Sequence, residues 1–532
     1  MNTFAPLGSF SATGDLWTRL CRNLARMEEE KYWPANLFQR EKEFTNWPGD
    51  TEGRTILAWV LLAQATGHAP RYLDQVLKLW PKEVNERGYF GKIYQDGISE
   101  QQLSSHGWVL RALAELERWR PNQGARALAL PIIENLFLPT AGMYGAYPID
   151  PAARVTAGQY SGTHSKQIGD WILSTDVGCF VIGMDGLIDA YDVFRDERLV
   201  PMIDAMLARF LEIDLAPIEA QTHATLTALR GLIRWAEIQG RPELIAAAVK
   251  RYALYTDLAW TEHYANYNWF NRPLWTEPCA MVDSLMVVMA LWQHTGESRY
   301  LEHAHLIWFN ALGHGQRANG GFGCDNCPGA DGSESLSFSV YESHWCCTMR
   351  GGEGLARMTQ YQVAREGSTL TLPFLLSGDY ADADGLRISI ESGYPLTAKA
   401  TIKVDGNLEG IRKLRIYLPV WIKDCLCENG TRTGEWLEVD VISPLTLTLE
   451  GTLVETSRAL LASTTAYIEK SAKPGKEYKV FMRGPLVLAG KPGVVCDCGD
   501  PAHLQPIYQG YLDGVVAKES SGRKLLFPVA GA

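Results

Sequence analysis

Two short motifs, far apart in the chain, carry the residue types of a metal-assisted nucleophile. Cys346 and Cys347 are adjacent in Glu342-Ser343-His344-Trp345-Cys346-Cys347-Thr348, and Thr276-Glu277-Pro278-Cys279 offers a carboxylate and a thiol two residues apart. Each motif stands where a helix is expected to open, and Pro278 suits a first helical turn, where its missing N–H costs nothing. Helix N-termini lower thiol pKa values, and the thiolate is both the nucleophile and the metal ligand. Brought to one place, three thiolates and a carboxylate make a full tetrahedral zinc set. Separate buried thiols are the alternative, and spacing alone leaves both readings open. Cys324-Asp325-Asn326-Cys327 competes with this set. A C-x-x-C in a Gly-rich stretch (residues 320–332) serves structural zinc or redox chemistry, or is a loop with two free thiols.

The elements that must position these motifs are helical up to about residue 363. Several segments share one plan, an apolar helix, a polar or Gly-containing turn and a second helix. They begin near residues 56, 106, 181, 223 and 281, and a sixth opens at Cys347. Apolar residues recur at three- and four-residue spacing, as in Leu226, Leu229, Ile233 and in Leu285, Val288, Met289. Six degenerate helical hairpins predict a closed double ring, an (α/α)6 toroid over residues 1–363, with an open solenoid as the alternative. Long polar insertions between hairpins favour the toroid, because such loops gather at one end and build a site. After Gln362 the period changes to two. Thr369-Leu370-Thr371-Leu372, Leu386-Arg387-Ile388-Ser389-Ile390, Thr401-Ile402-Lys403-Val404 and Leu445-Thr446-Leu447-Thr448-Leu449 alternate, with turn signals at Asp405-Gly406-Asn407 and Glu428-Asn429-Gly430. This predicts a C-terminal antiparallel β-sandwich over residues 364–532, with the last thirty or so residues irregular.

Bulk properties narrow the partners. A chain of 532 residues with 46% apolar and 21% charged residues is ordinary globular material, long enough for a large helical domain and a smaller one. A net charge of −11, with no basic cluster, argues against nucleic acid or an anionic membrane. No stretch of about 18 apolar residues reads as a membrane span, and the N-terminal residues lack a signal-peptide pattern, so the expectation is cytoplasmic. The 11 cysteines, an odd number in a large chain, then read as buried thiols, ligands or nucleophiles rather than a disulfide framework.

The pairing of Glu277-Pro278-Cys279 with Cys346-Cys347, followed by a helix and a β-sandwich, resembles glycoside hydrolase family 127, the β-L-arabinofuranosidases. The resemblance runs from Trp47-Pro48-Gly49-Asp50 to Arg483-Gly484-Pro485-Leu486-Val487-Leu488. It implies that zinc is held by Glu277, Cys279, Cys346 and Cys347, that Cys346 is the nucleophile, and that Glu262 of Thr261-Glu262-His263-Tyr264 is the acid/base. It further implies that His106 and His223 contact sugar hydroxyls, where the residues by themselves would read as structural histidines and a surface glutamate. The sequence departs from the family in Thr348-Met349-Arg350 after the cysteine pair, in Asp176-Val177-Gly178-Cys179 where another histidine is expected, and in the insertion holding Cys324 and Cys327. The expected function is therefore a retaining, exo-acting glycoside hydrolase on a β-L-arabinofuranoside or related pentoside, with a small glycoside as substrate. A zinc-stabilised carbohydrate-binding protein without turnover is the second reading. A non-hydrolytic sugar enzyme on the same toroid is the third, and whether the β-domain pairs two copies into a homodimer stays open.

Overall fold

The computed structural model describes residues 1–43, 46–154, 161–326, 335–464, 477–489, 504–508, 525–526 and 529–530. Six helices form its centre: α1 (Asp50–Thr66), α2 (Glu100–Trp119), α3 (Phe180–Phe194), α4 (Thr222–Gln239), α5 (Pro278–Thr295) and α6 (Cys347–Gln360). Each packs on the next, and α6 packs on α1, so the ring is closed. A second layer lies outside it, with Ala125–Ile132 on α2, Leu199–Glu212 on α3, Pro242–Leu258 on α4 and Ser298–Leu306 on α5. The inner helices are buried on nearly every face, whereas the outer ones bury one stripe, as the two layers of a toroid require. The expected toroid is present, with one difference. After α6 the chain does not return as a sixth outer helix, and Gly14–Arg26, from the other end of the sequence, packs there against α6 and α1. Asn23 Nδ2 fixes it by donating to the carbonyl of Thr348 at 3.1 Å and to that of Gly320 at 2.9 Å.

The inner helices meet almost backbone to backbone. A Cβ on Gly107 of α2 would fall well inside 3.0 Å of the Ile182 carbonyl of α3, and one on Gly186 would strike Gly107 itself. Inside the ring, the axis is lined by charge. Arg111 reaches Asp185 at 3.3 Å, Asp189 at 3.2 Å and Glu353 at 2.6 Å, Arg350 reaches Asp283 at 2.5 Å and also pairs with Glu353, and Arg234 and Arg118 hold Asp189 from the far side. The apolar core is thus a sleeve between the two helical layers, wrapped around an ionic axis.

Short strands lie in the loops between the helices, and from Ala364 the chain runs mainly as strands, most of them in two six-stranded sheets. In one, Leu386–Ser392, Ala398–Gly406 and Leu445–Leu453 lie side by side with Ile390 opposite Ile402 and Ile402 opposite Leu447, so the buried residues of successive strands fall on one face. The sandwich is not wholly antiparallel, because Thr369–Leu372 runs parallel to Lys413–Tyr417. Thr3–Phe4 and Phe10–Ala12, from the start of the chain, are edge strands of the two sheets. Most of the last thirty residues, expected to be irregular, lie outside the described residues, as does Cys327. Among the described residues no helix is long and apolar enough to cross a membrane.

Candidate metal centre

Two inner helices of the ring begin at one point. Glu277 caps α5 in extended conformation with Pro278 in the first turn, and Cys346 caps α6. The residue before Glu277, Thr276, lies in the strand Arg272–Thr276, which pairs with Cys324–Asn326, Thr276 lying opposite Asp325. Periodicity and helix-start chemistry therefore deliver Glu277, Cys279, Cys346 and Cys347 to the same end of the toroid. Their ligand atoms all lie within 4.8 Å of one another. Cys346 Sγ is 3.4 Å from Cys347 Sγ and 3.8 Å from Glu277 Oε1, and Cys279 Sγ is 3.9 Å from Cys347 Sγ. Of the four, Cys346 is the one partly open, and it faces a cavity of about 490 Å³.

Four groups that ionise to anions, packed this closely, can all be charged together only around a cation. Burial, then the adjoining Cys279, pushes the Glu277 carboxyl well above the usual range, and its Oε2 is buried without a partner. Burial, then Cys346, pushes Cys279 up to about 11, and burial raises Cys347. Hydrogen bonds from Cys279 and Cys347 instead lower Cys346 to about 7, so the partly open thiol is the one that ionises first. Two helix N-termini favour that charge. Arg54 adds to it, its Nη1 lying 3.6 Å from Cys279 Sγ, its Nε donating to Asp50 at 2.8 Å and its guanidinium stacked 4.1 Å over Trp108. Three sulfurs and a carboxylate with an orphaned oxygen could hold a metal ion, and the donor set is one that soft, tetrahedral zinc accepts.

The other expected residues divide. His223 lines the cavity, stacked 5.7 Å from Trp108, with Nδ1 2.8 Å from Asp283 Oδ2. Burial, opposed by Cys279 and Asp283, keeps its pKa low. Donating from Nδ1 to the carboxylate leaves Nε2 as an acceptor toward Arg54 Nη2, 3.5 Å away. His106 is placed differently. It does not line the cavity, its Nδ1 is 2.8 Å from the Gln102 carbonyl and its Nε2 accepts from Phe90 N–H at 3.0 Å, so both nitrogens serve the fold. Burial takes its pKa down to about 4.

Glu262 is held by the C-terminal region. It is buried but does not line the cavity. Oε1 accepts from Leu461 N–H at 2.7 Å and Oε2 pairs with Arg458, a strand residue of the C-terminal region. An acid/base must come within hydrogen-bond reach of the reacting oxygen, and this carboxylate is committed elsewhere. Cys324 does reach the site. It is buried in the cavity wall 3.3 Å from Ser343 Oγ. Sequence reasoning missed Arg54, whose signal was its i,i+4 partner Asp50 at a helix start, and it saw Asp176 only as a departure.

Solved structures share this architecture. The fold is that of the GH127 β-arabinofuranosidases. One such enzyme matches at a TM-score of 0.64 and 14% identity, over 92% of this chain and 86% of its own. A GH127 β-L-arabinofuranosidase from Geobacillus stearothermophilus T6 matches at 0.62 and 12%, over 91% and 86%. A protein described only as a glycoside hydrolase matches at 0.65 and 11%, over 92% and 83%. No family sequence model matches the chain, and no curated protein matches it in sequence.

Proposed function

We propose that this protein is a retaining glycoside hydrolase that removes a terminal β-L-arabinofuranosyl or related pentosyl unit, with Cys346 as nucleophile. The observation that carries the reading is the convergence of Glu277, Cys279, Cys346 and Cys347 at the floor of a sugar-sized cavity, on the fold of the arabinofuranosidases. Zinc would be held by these four residues, and when bound it supplies the positive charge that keeps the cysteines ionised at neutral pH. Cys346 then presents sulfur to the anomeric carbon from a fixed position. Trp47, Trp275 and the half-exposed Trp345 offer flat apolar faces for a sugar ring, and His223 Nε2 and Arg54 offer polar groups for its hydroxyls. Sulfur replaces the second carboxylate of the usual two-carboxylate scheme, so two displacements at one carbon leave the product with the configuration of the substrate.

The test is metal content followed by stereochemistry. Purified reduced protein is expected to carry about one zinc per chain, and Cys279→Ser to lose it, because structural thiolate sites bind tightly only as a complete set. Pentofuranosides are then screened by NMR for a first-formed product of retained configuration, and an inverted product would sink the mechanism. Glu262, held away from the cavity, favours one second reading, a zinc-stabilised sugar-binding protein. Zinc-loaded protein that binds arabinofuranosides and cleaves none would establish it.

A further inference from the structure

Among the described residues, the cavity over the four-residue group is lined by three carboxyl side chains, and two are committed. Asp50 is paired with Arg54 at 2.8 Å, and Glu277 belongs to the metal group. Asp176 is not committed. It is 2% exposed, accepts from Ser161 Oγ at 2.7 Å and from Trp269 Nε1 at 3.3 Å, has the Gly162 N–H as a further donor, and makes no ion pair among the described residues. Three donors on a carboxylate with about four lone-pair sites leave room for one more partner. Burial outweighs these hydrogen bonds and lifts its carboxyl to about 6, a range in which a group both gives and takes protons near neutrality. Its position is set by rigid neighbours. The strand Trp171–Ser174 leads into it, Asp176 N donates to Ser174 Oγ at 3.0 Å, and α3 follows within four residues.

Resting on the hydrolase reading above, we propose that Asp176 is the acid/base of this site, in the place vacated by Glu262. As Cys346 Sγ bonds to the anomeric carbon, the C–O bond to the leaving group breaks, and the Asp176 proton passes to the departing oxygen. In the second half the Asp176 carboxylate takes a proton from water, the water oxygen bonds to the anomeric carbon, and the C–S bond breaks to return the thiolate. The proton and the electron pair are both restored, and no further reactant is needed.

The experiment compares methyl and 4-nitrophenyl β-L-arabinofuranosides on wild type, Asp176→Asn, Asp176→Ala and Glu262→Gln. Asp176→Asn is expected to lose about 10²–10⁴-fold in kcat/KM on the methyl glycoside and less than about tenfold on the nitrophenyl one, whose leaving group needs no proton. Asp176→Ala with added azide is expected to give a glycosyl azide of retained configuration, since azide requires no base. Glu262→Gln is expected to change both substrates alike. Equal losses of Asp176→Asn on the two glycosides, with no azide product from Asp176→Ala, would overturn the assignment while leaving a working hydrolase. Wild type that cleaves neither glycoside would overturn the hydrolase reading itself, and the assignment with it.

Discussion

Single residues at this site are told apart by what already occupies their polar atoms. Glu262 and Asp176 are both buried carboxylates, yet one is paired with Arg458 and the other faces the cavity with hydrogen bonds alone. Glu262→Gln should therefore behave as a stability variant. It keeps the shape but leaves the Arg458 guanidinium without its counter-charge, at a cost of about 1.5–3 kcal/mol, the usual worth of a hydrogen bond to a charged group. Urea unfolding checks this, and an unchanged midpoint would put Glu262 back among residues free to act. The thiol and carboxylate set was legible from sequence because its chemistry is local, each motif opening a helix that the pattern already predicted. The proton donor was not, because neither carboxylate type nor spacing says which one lacks a cation. The partners of His106 were equally hidden, both of its nitrogens being engaged by the backbone carbonyl of Gln102 and the N–H of Phe90.

At the scale of elements, the six inner helices were readable from three- and four-residue spacing, and the four strands marked by strict alternation all formed. The missing outer helix was not readable, since Gly14–Arg26 lies more than 300 residues from the helix it supports. The parallel strand pair was equally hidden, because period two is the same for either direction. The glycine contacts between α2 and α3 allow a sharp prediction. Alanine is the better helix former by about 1 kcal/mol, so helix propensity alone would stabilise Gly107→Ala. The Ile182 carbonyl instead blocks the new methyl, and the variant is expected to lose about 1–3 kcal/mol or more as the helices are forced apart. Gly145→Ala, whose methyl meets nothing, is the control with little change. Chemical denaturation of the two variants reads the difference directly.

The whole molecule is organised by the ionic axis, which runs without a break from the metal group to the far mouth of the ring. Cys279 contacts Arg54, Arg54 approaches His223, His223 bonds Asp283, and Asp283 pairs with Arg350, from which Glu353, Arg111 and Asp189 follow in turn. Burial alone would raise the carboxyls of Asp283 and Asp189. Arg350 with His223, and Arg234 with Arg118 and Arg111, outweigh it and hold both well below the usual carboxylate range. Groups lowered in this way stabilise the fold fully above their unfolded pKa of about 3.9 and lose that contribution as pH falls below it. Arg350→Met removes the main partner of Asp283 and is expected to cost about 3–5 kcal/mol at pH 7.5, where the carboxylate is stranded without its charge. The deficit against wild type should shrink at pH 4, where a stranded carboxyl takes up a proton. Urea midpoints of both proteins at the two pH values check the sign, and a deficit that grows on acidification would refute it.

The packing of the early helix Gly14–Arg26 on the last inner helix also sets an order of events during synthesis. Gly14–Arg26 emerges first but finds its partner α6 only after residue 347 has left the ribosome. Until then α1 to α5 form an arc with an open flank, and local hairpins can form while the barrel cannot. Glu277 and Cys279 are translated about seventy residues ahead of Cys346 and Cys347, so the nascent chain carries half a binding site for several seconds at ordinary elongation rates. The four residues that could hold a metal and the closed ring are thus completed together, when the last inner helix supplies the final pair of thiols and the floor of the cavity.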